Sequence, residues 1–253
     1  MAVRRICLTI SYDGTAYHGW QIQDNAVTVE GRVTEALREL LQEPVELAGA
    51  SRTDSGVHAL GNVAVFDTET RIPPEKIAIA LNHYLPDDIR IQKSGEVTAD
   101  FHPRYRESIK TYEYRIRNAR IENPVRSRYC YHVRQPLDLD EMKKAAGFLT
   151  GTHDFSAFCS AGSQVKSKVR TVYKVEIYEY PVSYGDEGRE IGIRVSGNGF
   201  LYNMVRIMAG TLIEVGQGRR STMSVEEAVS AGDRVKAGPT APPQGLTLLE
   251  IRY

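Results

Sequence analysis

Arg52 and Asp54 are the first residues of this sequence whose types and spacing could do chemistry. They lie two positions apart in GASRTDSGVHAL, residues 49–60, at the end of a predicted strand, where alternate side chains share one face. A neighbouring guanidinium group favours the ionised form of a carboxyl group whose ordinary pKa is about 3.9. Asp54 could therefore attack an electrophilic carbon. The alternative is structural, with Asp54 capping a turn at Ser55 and Gly56 and Arg52 pairing with it.

Arg206 and Tyr112 are two further candidates from later in the chain. Arg206 is the only charged residue in FLYNMVRIMAGTLI, residues 200–213, and a buried cation needs an anion. It either meets Asp54 or a phosphate group, or forms a structural ion pair or reaches the helix surface. Tyr112 shares a strand face with Lys110, and it either stacks on an extracted base or is an ordinary strand tyrosine.

The charges of the chain are unevenly distributed. Its 32 basic and 32 acidic residues balance overall, but residues 101–134 carry nine basic residues against three acidic ones. Arg115 and Arg117 belong to this block, in which tyrosines are interleaved with arginines. Basic groups bind phosphates and aromatic rings stack on unpaired bases. The block therefore either contacts nucleic acid or forms ordinary strands with a solvated charged face.

Metal sites, nucleotide cofactors and membrane spans are not indicated by the sequence. The six histidines and three cysteines show no metal-ligand spacing, and no glycine-rich phosphate loop occurs. We expect His58 and His153 to be structural. No segment is long and apolar enough for a signal peptide or a membrane span, and the widely separated cysteines indicate a reducing compartment. We expect a soluble, cytoplasmic protein that uses no metal and no cofactor.

Hydrophobic periodicity predicts the elements that must position these residues. In the first half, the predicted elements are strands at about 4–12, 45–49, 62–67 and 89–92 and helices at 29–41 and 73–84. Their order is β-α-β-β-α-β, which is typical of a ferredoxin-like unit.

The second half of the chain follows a similar plan. Its predicted elements are strands near 109–117, 129–134, 169–180, 190–196 and 246–252 and helices from 138, over 200–215 and over 224–231. Glu141, three residues after Asp138, predicts a capping box, and loops are expected at 162–167 and 183–188.

We infer an α/β (α+β) fold of two ferredoxin-like halves. Their mostly antiparallel sheets are expected to form a central extended sheet with helices packed on it and an active cleft between the halves. The predicted domains are an N-terminal α/β subdomain, residues 1–104, which carries Asp54, and a C-terminal α/β subdomain, residues 105–253.

Three motifs together resemble the bacterial tRNA pseudouridine synthase A family. They are SRTDSGVHAL at 51–60, KTYEYRI at 110–116 and GFLYNMVRIMAG at 199–210, and YDGTAYHGWQ at 12–21, FHPRYRE at 101–107 and TAPPQGLTL at 240–248 extend the likeness along the chain. Ser51 and Ser55 stand where related sequences often have Gly and Ala. These small replacements leave Arg52 and Asp54 in place.

The resemblance implies an isomerase that converts uridine to pseudouridine in the anticodon stem-loop of tRNA, at positions 38–40, without a cofactor. It makes Asp54 the catalytic nucleophile, with Arg52 and Arg206 flanking its carboxylate. It also implies a homodimer and gives the basic block a role in holding tRNA. The predicted substrate-binding residues are Tyr112, which would contact the target uracil, and Lys110, Arg115 and Arg117.

Two other functions fit the same residues. A non-catalytic RNA-binding protein would use the basic block without chemistry, and a hydrolase would cleave the glycosidic bond and release uracil. An essential Asp54 separates the synthase from the first alternative, and free uracil in the product would indicate the second. The residues leave open whether the carboxylate attacks C6 of the ring or C1′ of the ribose, and which group removes the C5 proton.

Overall fold

The computed structural model describes residues 3–163, 165–181 and 188–253. The chain forms two compact units, one made of Met1–Ser108 with Leu248–Tyr253 and the other of Ile109–Thr247. The described part of the predicted 162–167 loop contains neither helix nor strand. Most of the predicted 183–188 loop lies outside the described residues. Within the described ranges, no helix has both the length and the apolar content needed to cross a bilayer.

The first unit has the predicted β-α-β-β-α-β order. Its elements are β1 Arg4–Tyr12, α1 Val29–Leu41, β2 Ala48–Gly49, β3 His58–Thr68, α2 Ile77–Leu81 and β4 Ile89–Val97. Strand β1 lies between β3 and β4 and pairs antiparallel with both, and β2 pairs antiparallel with β3. The segment between β2 and β3 contains Asp54.

The boundaries of α1 show how local sequence sets an element. The Thr28 side chain accepts a hydrogen bond from the Gly31 N–H, which satisfies one of the first unpaired helix donors. Val33 and Leu37, four residues apart, are fully buried on one face. The helix ends at Gln42, which adopts a left-handed conformation that cannot continue it.

The second unit is also a mixture of strands and helices. Its elements are β5 Ile109–Asn118, β6 Tyr131–Val133, α3 Leu139–Gly147, β7 Gly151–Asp154, β8 Val169–Tyr180, β9 Arg189–Gly197, α4 Met204–Gly216 and α5 Met223–Ala231. The strand order is β5-β9-β8-β7 with antiparallel pairing throughout, and β6 pairs parallel with β5. Strand β10, Leu246–Arg252, ends the chain beside β3. The prediction of an α/β fold with mostly antiparallel strands is confirmed.

One local prediction in the second unit is wrong, and another is confirmed only in half. Helix α4 begins at Met204 rather than at residue 200, because Asn203 has a φ of 61° and a left-handed residue cannot belong to the helix. Asp138 does cap α3 through its side chain, but its own N–H donates to the Gly216 carbonyl at 2.8 Å instead of to Glu141. The reciprocal half of the predicted capping box is therefore replaced by a tertiary contact.

Two predictions in the first unit also need correction. The strand predicted at 45–49 is only Ala48–Gly49, so residues 51–54 follow a strand but do not extend it. The helix predicted at 73–84 is shorter in the structure. Residues 74–76 form a 3₁₀ turn, α2 covers 77–81, and turns follow at 82–84.

Candidate active site

Asp54 lies in an irregular segment, residues 50–57, which we call the Asp54 loop. The Val57 N–H donates to the Asp54 carbonyl at 3.1 Å, and Gly56 at the third turn position has a φ of 76°. This is the conformation that the third position of a type II turn requires, and glycine adopts it without strain. Asp54 is half-buried and Arg52 is exposed. The turn predicted after Asp54 is confirmed.

The segment 12–20 contacts the Asp54 loop through backbone hydrogen bonds. The Tyr17 carbonyl accepts from the Gly56 N–H at 3.2 Å, and the Trp20 N–H donates to the Thr53 carbonyl at 3.0 Å. These two bonds lie on either side of Asp54 in sequence. The loop backbone is therefore held both before and after the carboxylate, although it belongs to no strand.

Buried side chains hold the first half of the Asp54 loop. The Tyr12 hydroxyl and Thr53 Oγ1 are 2.7 Å apart, and Asn62 Nδ2 donates to the Ser51 carbonyl at 3.1 Å. Asn62 is fully buried, and its Oδ1 also accepts from the Ser51 N–H at 3.3 Å. Hydrogen bonds in a site with little water rigidify the groups they join. Asp54 is thus presented from a loop whose geometry is set by β1 and β3.

Gly19 approaches the Asp54 loop more closely than any side chain would allow. Its φ is 89°, and a β-carbon there would lie 2.7 Å from the Thr53 carbonyl oxygen. We expect Gly19→Ala to lower the free energy of unfolding by about 1–3 kcal/mol, because backbone strain and a clash with backbone must both be relieved. Chemical denaturation measures this.

Gly147→Ala is the matched control for that substitution. A β-carbon at Gly147 would meet nothing within 4 Å, and this glycine has no positive φ. We expect Gly147→Ala to leave the free energy of unfolding unchanged or to raise it slightly. Equal decreases in the free energy of unfolding in the two variants would show that a β-carbon at Gly19 does not clash with the Asp54 loop.

The two histidines predicted to be structural bind backbone groups. His58 Nδ1 lies 3.1 Å from the Gly14 N–H, which can donate to it, and His153 Nε2 lies 2.9 Å from the Thr150 carbonyl. That structural prediction is confirmed. Among the described residues, no three His, Cys, Asp or Glu side chains are grouped as a metal ion would need.

Arg206 lies in the first turn of α4, in the second unit, and is half-buried. Its Nε donates to the Ala241 carbonyl at 2.8 Å and its Nη1 donates to Asn203 Oδ1 at 2.7 Å. The Ala241 N–H returns a bond to the Arg206 carbonyl at 3.1 Å. These hydrogen bonds fix the orientation of the guanidinium group.

Tyr112 lies on β5, in the second unit, and is 8% exposed. Its ring meets the Phe200 ring edge-on with the centroids 5.2 Å apart. Lys110 and Tyr112 are alternate residues of this strand, so the prediction that they share a face is confirmed. The predicted contact of Tyr112 with a base stays a prediction.

The other face of β5 carries a charged cluster around Glu113, which is 2% exposed. Its carboxylate accepts from the Tyr178 hydroxyl, from Tyr180 at 2.6 Å, and from Arg115 and Arg194, each at 2.9 Å. Burial alone would raise the pKa of Glu113, but these hydrogen bonds outweigh it and lower the pKa to about 2. Glu113 is therefore an anion at neutral pH, and it binds β5 to β8 and β9.

Arg115 and Arg117 do not fit the prediction that they bind substrate phosphates. Arg115 pairs with Glu113 and, at 3.1 Å, with Glu190, and its guanidinium lies 4.3 Å from the centre of the Tyr180 ring. Arg117 is only 2% exposed. The Arg115 charge is paired with two carboxylates, and the Arg117 side chain is buried away from solvent. The sequence of the basic block does not reveal these environments, because they depend on neighbouring strands that lie far away in sequence.

Glu113→Gln is expected to lower the free energy of unfolding at pH 7 by about 3–5 kcal/mol, because Arg115 and Arg194 lose their buried anion. The folded pKa, about 2, lies below the ordinary value of 4.5. The stabilisation is therefore complete above pH 4.5 and is lost as the pH falls towards 2. Chemical denaturation of both proteins from pH 7 to pH 3 should show the difference shrinking.

Glu176→Gln is the control for the Glu113 experiment. Glu176 lies on β8 and pairs with Lys174 at 2.7 Å, but both side chains are exposed. Such a pair contributes about 0–1 kcal/mol, so its removal should have little effect at any pH. If Glu113→Gln lowered the free energy of unfolding by as little as this, or by an amount that does not change with pH, Glu113 would not be the stabilising anion of the cluster.

Most of this chain matches a known protein family and individual proteins of two bacteria. Residues 8–106 and 145–253 match the family described as tRNA pseudouridine synthase. The tRNA pseudouridine synthase A of Ruminiclostridium cellulolyticum is 51% identical over 252 residues, which cover 99% of this chain and 100% of that protein. That of Thermoanaerobacter sp. (strain X514) is 49% identical over 253 residues, with the same two coverages. Asp54 and Arg206 fall inside the family match, and Tyr112 falls between its two segments.

One solved structure that aligns with most of this chain shows a weak likeness to it. A structure of an H/ACA RNP bound to a substrate RNA containing 2′-deoxyuridine aligns with 96% of this chain at 11% identity and a TM-score of 0.35. The alignment spans only 46% of that chain.

Proposed function

This chain belongs to the tRNA pseudouridine synthase family, and on that premise we propose that Asp54 is the nucleophile with which it isomerises uridine to pseudouridine in tRNA. One observation carries the proposal. Asp54 is a half-buried carboxylate at a glycine turn, and hydrogen bonds hold the loop backbone on both sides of it. An enzyme needs this kind of pre-positioning, because a reacting group must keep its geometry to within a fraction of an ångström.

The reaction moves uracil from an N1 linkage to a C5 linkage without changing its composition. In one route the Asp54 carboxylate attacks C1′, the C1′–N1 bond breaks, and the released uracil anion rotates. C5 then attacks C1′ and expels the carboxylate. In the other route the carboxylate first adds to C6 of the ring, the C1′–N1 bond breaks, and the tethered ring rotates. C5 then attacks C1′, and the C6–O bond breaks to return the carboxylate. Either way a proton leaves C5 and a proton is gained at N1, so no electrons are exchanged with a cofactor.

The proposed partners of Asp54 either stabilise its negative charge or bind the target nucleotide. Arg52 and Arg206 are assigned to flank the carboxylate, because nearby cations keep it ionised and stabilise charge that moves during the reaction. Tyr112 is assigned to contact the target uracil after it leaves its stack, and Lys110 to bind a phosphate group. The uncharged acceptors that orient the Arg206 guanidinium support its assignment.

The region of tRNA and the assembly of the protein are further parts of the proposal. We place the modified uridines at positions 38–40 of the anticodon stem-loop, and we propose that the protein acts as a homodimer in the cytoplasm. The family resemblance of the sequence supports these assignments. Light scattering of the purified protein, alone and with tRNA, tests the dimer.

Tritium release tests the activity against its two alternatives. Purified protein is incubated with tRNA whose uridines carry tritium at C5, and the water and the free bases are separated and counted. An isomerase releases tritium into water and leaves no free uracil. A non-catalytic RNA-binding protein would release neither, and a hydrolase would release labelled uracil.

A further inference from the structure

The turn at residues 101–106, FHPRYR, presents an aromatic ring to solvent; we call it the Tyr105 turn. The Tyr105 side chain is 78% exposed. Its ring lies against the His102 ring with the centroids 4.3 Å apart and the planes tilted by 31°. The His102 carbonyl accepts from the Arg106 N–H at 3.0 Å, which closes the turn beneath the two rings. A flat ring stacked on one side therefore keeps its other face open.

Residues far away in sequence hold the Tyr105 turn. Arg5 Nη1 donates to the Phe101 carbonyl at 3.2 Å, and the Tyr253 hydroxyl donates to the Pro103 carbonyl at 2.7 Å. The Tyr253 ring also meets the Phe101 ring edge-on, with the centroids 5.0 Å apart. A ring on a backbone that is already fixed loses little further entropy when a ligand packs on it.

Arg104 connects the Tyr105 turn to the strand that precedes the Asp54 loop. Its Nη2 donates to the Gly49 carbonyl at 2.8 Å, at the end of β2. The Arg104 side chain is half-buried, and burial lowers its pKa. A guanidinium group donates hydrogen bonds in a planar fork that matches the oxygens of a phosphate group.

We propose that the Tyr105 turn, with Arg104, forms a nucleotide subsite for an unpaired stretch of the tRNA substrate. One base stacks on the open face of Tyr105, and its phosphate group lies against the Arg104 guanidinium group. A ring beside a cation recognises a nucleotide, and stacking accepts every base because each has a flat face. This assignment rests on the proposed function, since it takes the ligand from the tRNA that Asp54 modifies.

Equilibrium binding of unmodified tRNA to the full chain tests the subsite. Tyr105→Ala is expected to weaken binding by about 5- to 150-fold, the loss found when a stacked base loses its aromatic partner. Tyr105→Phe should restore affinity to within about twofold of wild type, since stacking uses the ring and not the hydroxyl. If the Tyr105 hydroxyl were the group that matters, Tyr105→Phe would not restore the affinity.

Two further variants sharpen the test. Tyr84→Ala removes another exposed tyrosine of the first unit and should leave affinity unchanged. Arg104→Gln should reduce the slope of log affinity against log salt by about 0.7–0.9, the change for one lost phosphate contact. Wild-type affinity in Tyr105→Ala, or an unchanged slope in Arg104→Gln, would overturn the subsite.

The tritium assay separates failure of the subsite from failure of the proposed function. In Tyr105→Ala, KM for tRNA should rise by the same factor as the dissociation constant, and kcat should fall by less. If the wild-type protein binds tRNA but releases no tritium, the proposed isomerase fails while the subsite can still be tested by binding. If tritium is released normally and Tyr105→Ala binds like wild type, only the subsite fails.

Discussion

Replacement of Asp54 by Asn is expected to lower kcat for isomerisation by at least about 10⁴-fold, while the affinity for tRNA stays within a few fold of wild type. An amide has nearly the same shape as a carboxyl group but neither its charge nor its nucleophilic oxygen. The contacts of Tyr17, Trp20 and Asn62 with the loop use groups other than the Asp54 side chain, so the loop should keep its form. Tritium release under single-turnover conditions and equilibrium binding measure the two quantities.

Asp87→Asn is the control for the loss of a carboxylate. Asp87 is fully exposed and pairs only at the surface, with Arg90. Its replacement should change neither rate nor affinity. Turnover within tenfold of wild type in Asp54→Asn would place the nucleophile elsewhere, and a matching loss of affinity and rate would indicate that Asp54 serves binding or folding instead.

Arg206→Lys is expected to lower kcat by about 10²–10³-fold with little change in KM. Lysine keeps the positive charge but lacks the planar fork with which Arg206 donates to Ala241 and to Asn203. A lysine ammonium held by those two acceptors would lose the orientation towards the Asp54 carboxylate that we propose for Arg206. Because the proposed interaction strengthens as charge moves in the transition state, the loss should appear in kcat.

Arg234→Lys provides the control for Arg206→Lys. The Arg234 guanidinium also donates to main-chain carbonyls, those of Ala237 and Gly238, and has no proposed part in the reaction. Its replacement should reduce stability slightly and leave kcat unchanged. If both variants lose activity only in proportion to their stability, Arg206 is a structural residue.

Elements governed by local patterns could be predicted from the sequence. Strand β1 has the predicted bounds, because its apolar residues alternate, and α1 runs from Val29 to Leu41 as its apolar spacing indicates. Strand β7, Gly151–Asp154, was not predicted, since four residues with little apolar character carry no periodic signal. The start of α4 was missed because it depends on the left-handed backbone of Asn203.

The support of the Asp54 loop could not be predicted in this way. Asn62 reaches Ser51 across 11 residues, next to the pairing of β2 with β3. Tyr12 reaches Thr53 across 41 residues, from β1, which pairs with β3. A signal was nevertheless present in YDGTAYHGWQ, where glycines alternate with aromatic residues. Gly19 in that segment is required by the close approach to Thr53.

Spacing alone left Asp54 open between a turn residue and a nucleophile. The structure contains the turn, but the Asp54 main-chain carbonyl closes it by accepting from Val57. The two interpretations are therefore compatible. Arg115 shows the opposite case, because its position in a basic block suggested a phosphate contact, and only the folded strands reveal its commitment to Glu113 and Glu190.

Mass mapping of tRNA from cells that lack this protein tests the central claim most directly. The cells are supplied either with the wild-type chain or with Asp54→Asn at equal abundance, and nucleosides 38–40 of the anticodon stem-loop are analysed. Our account predicts pseudouridine there with the wild-type chain and only uridine with the variant. Pseudouridine restored equally by both chains would contradict it.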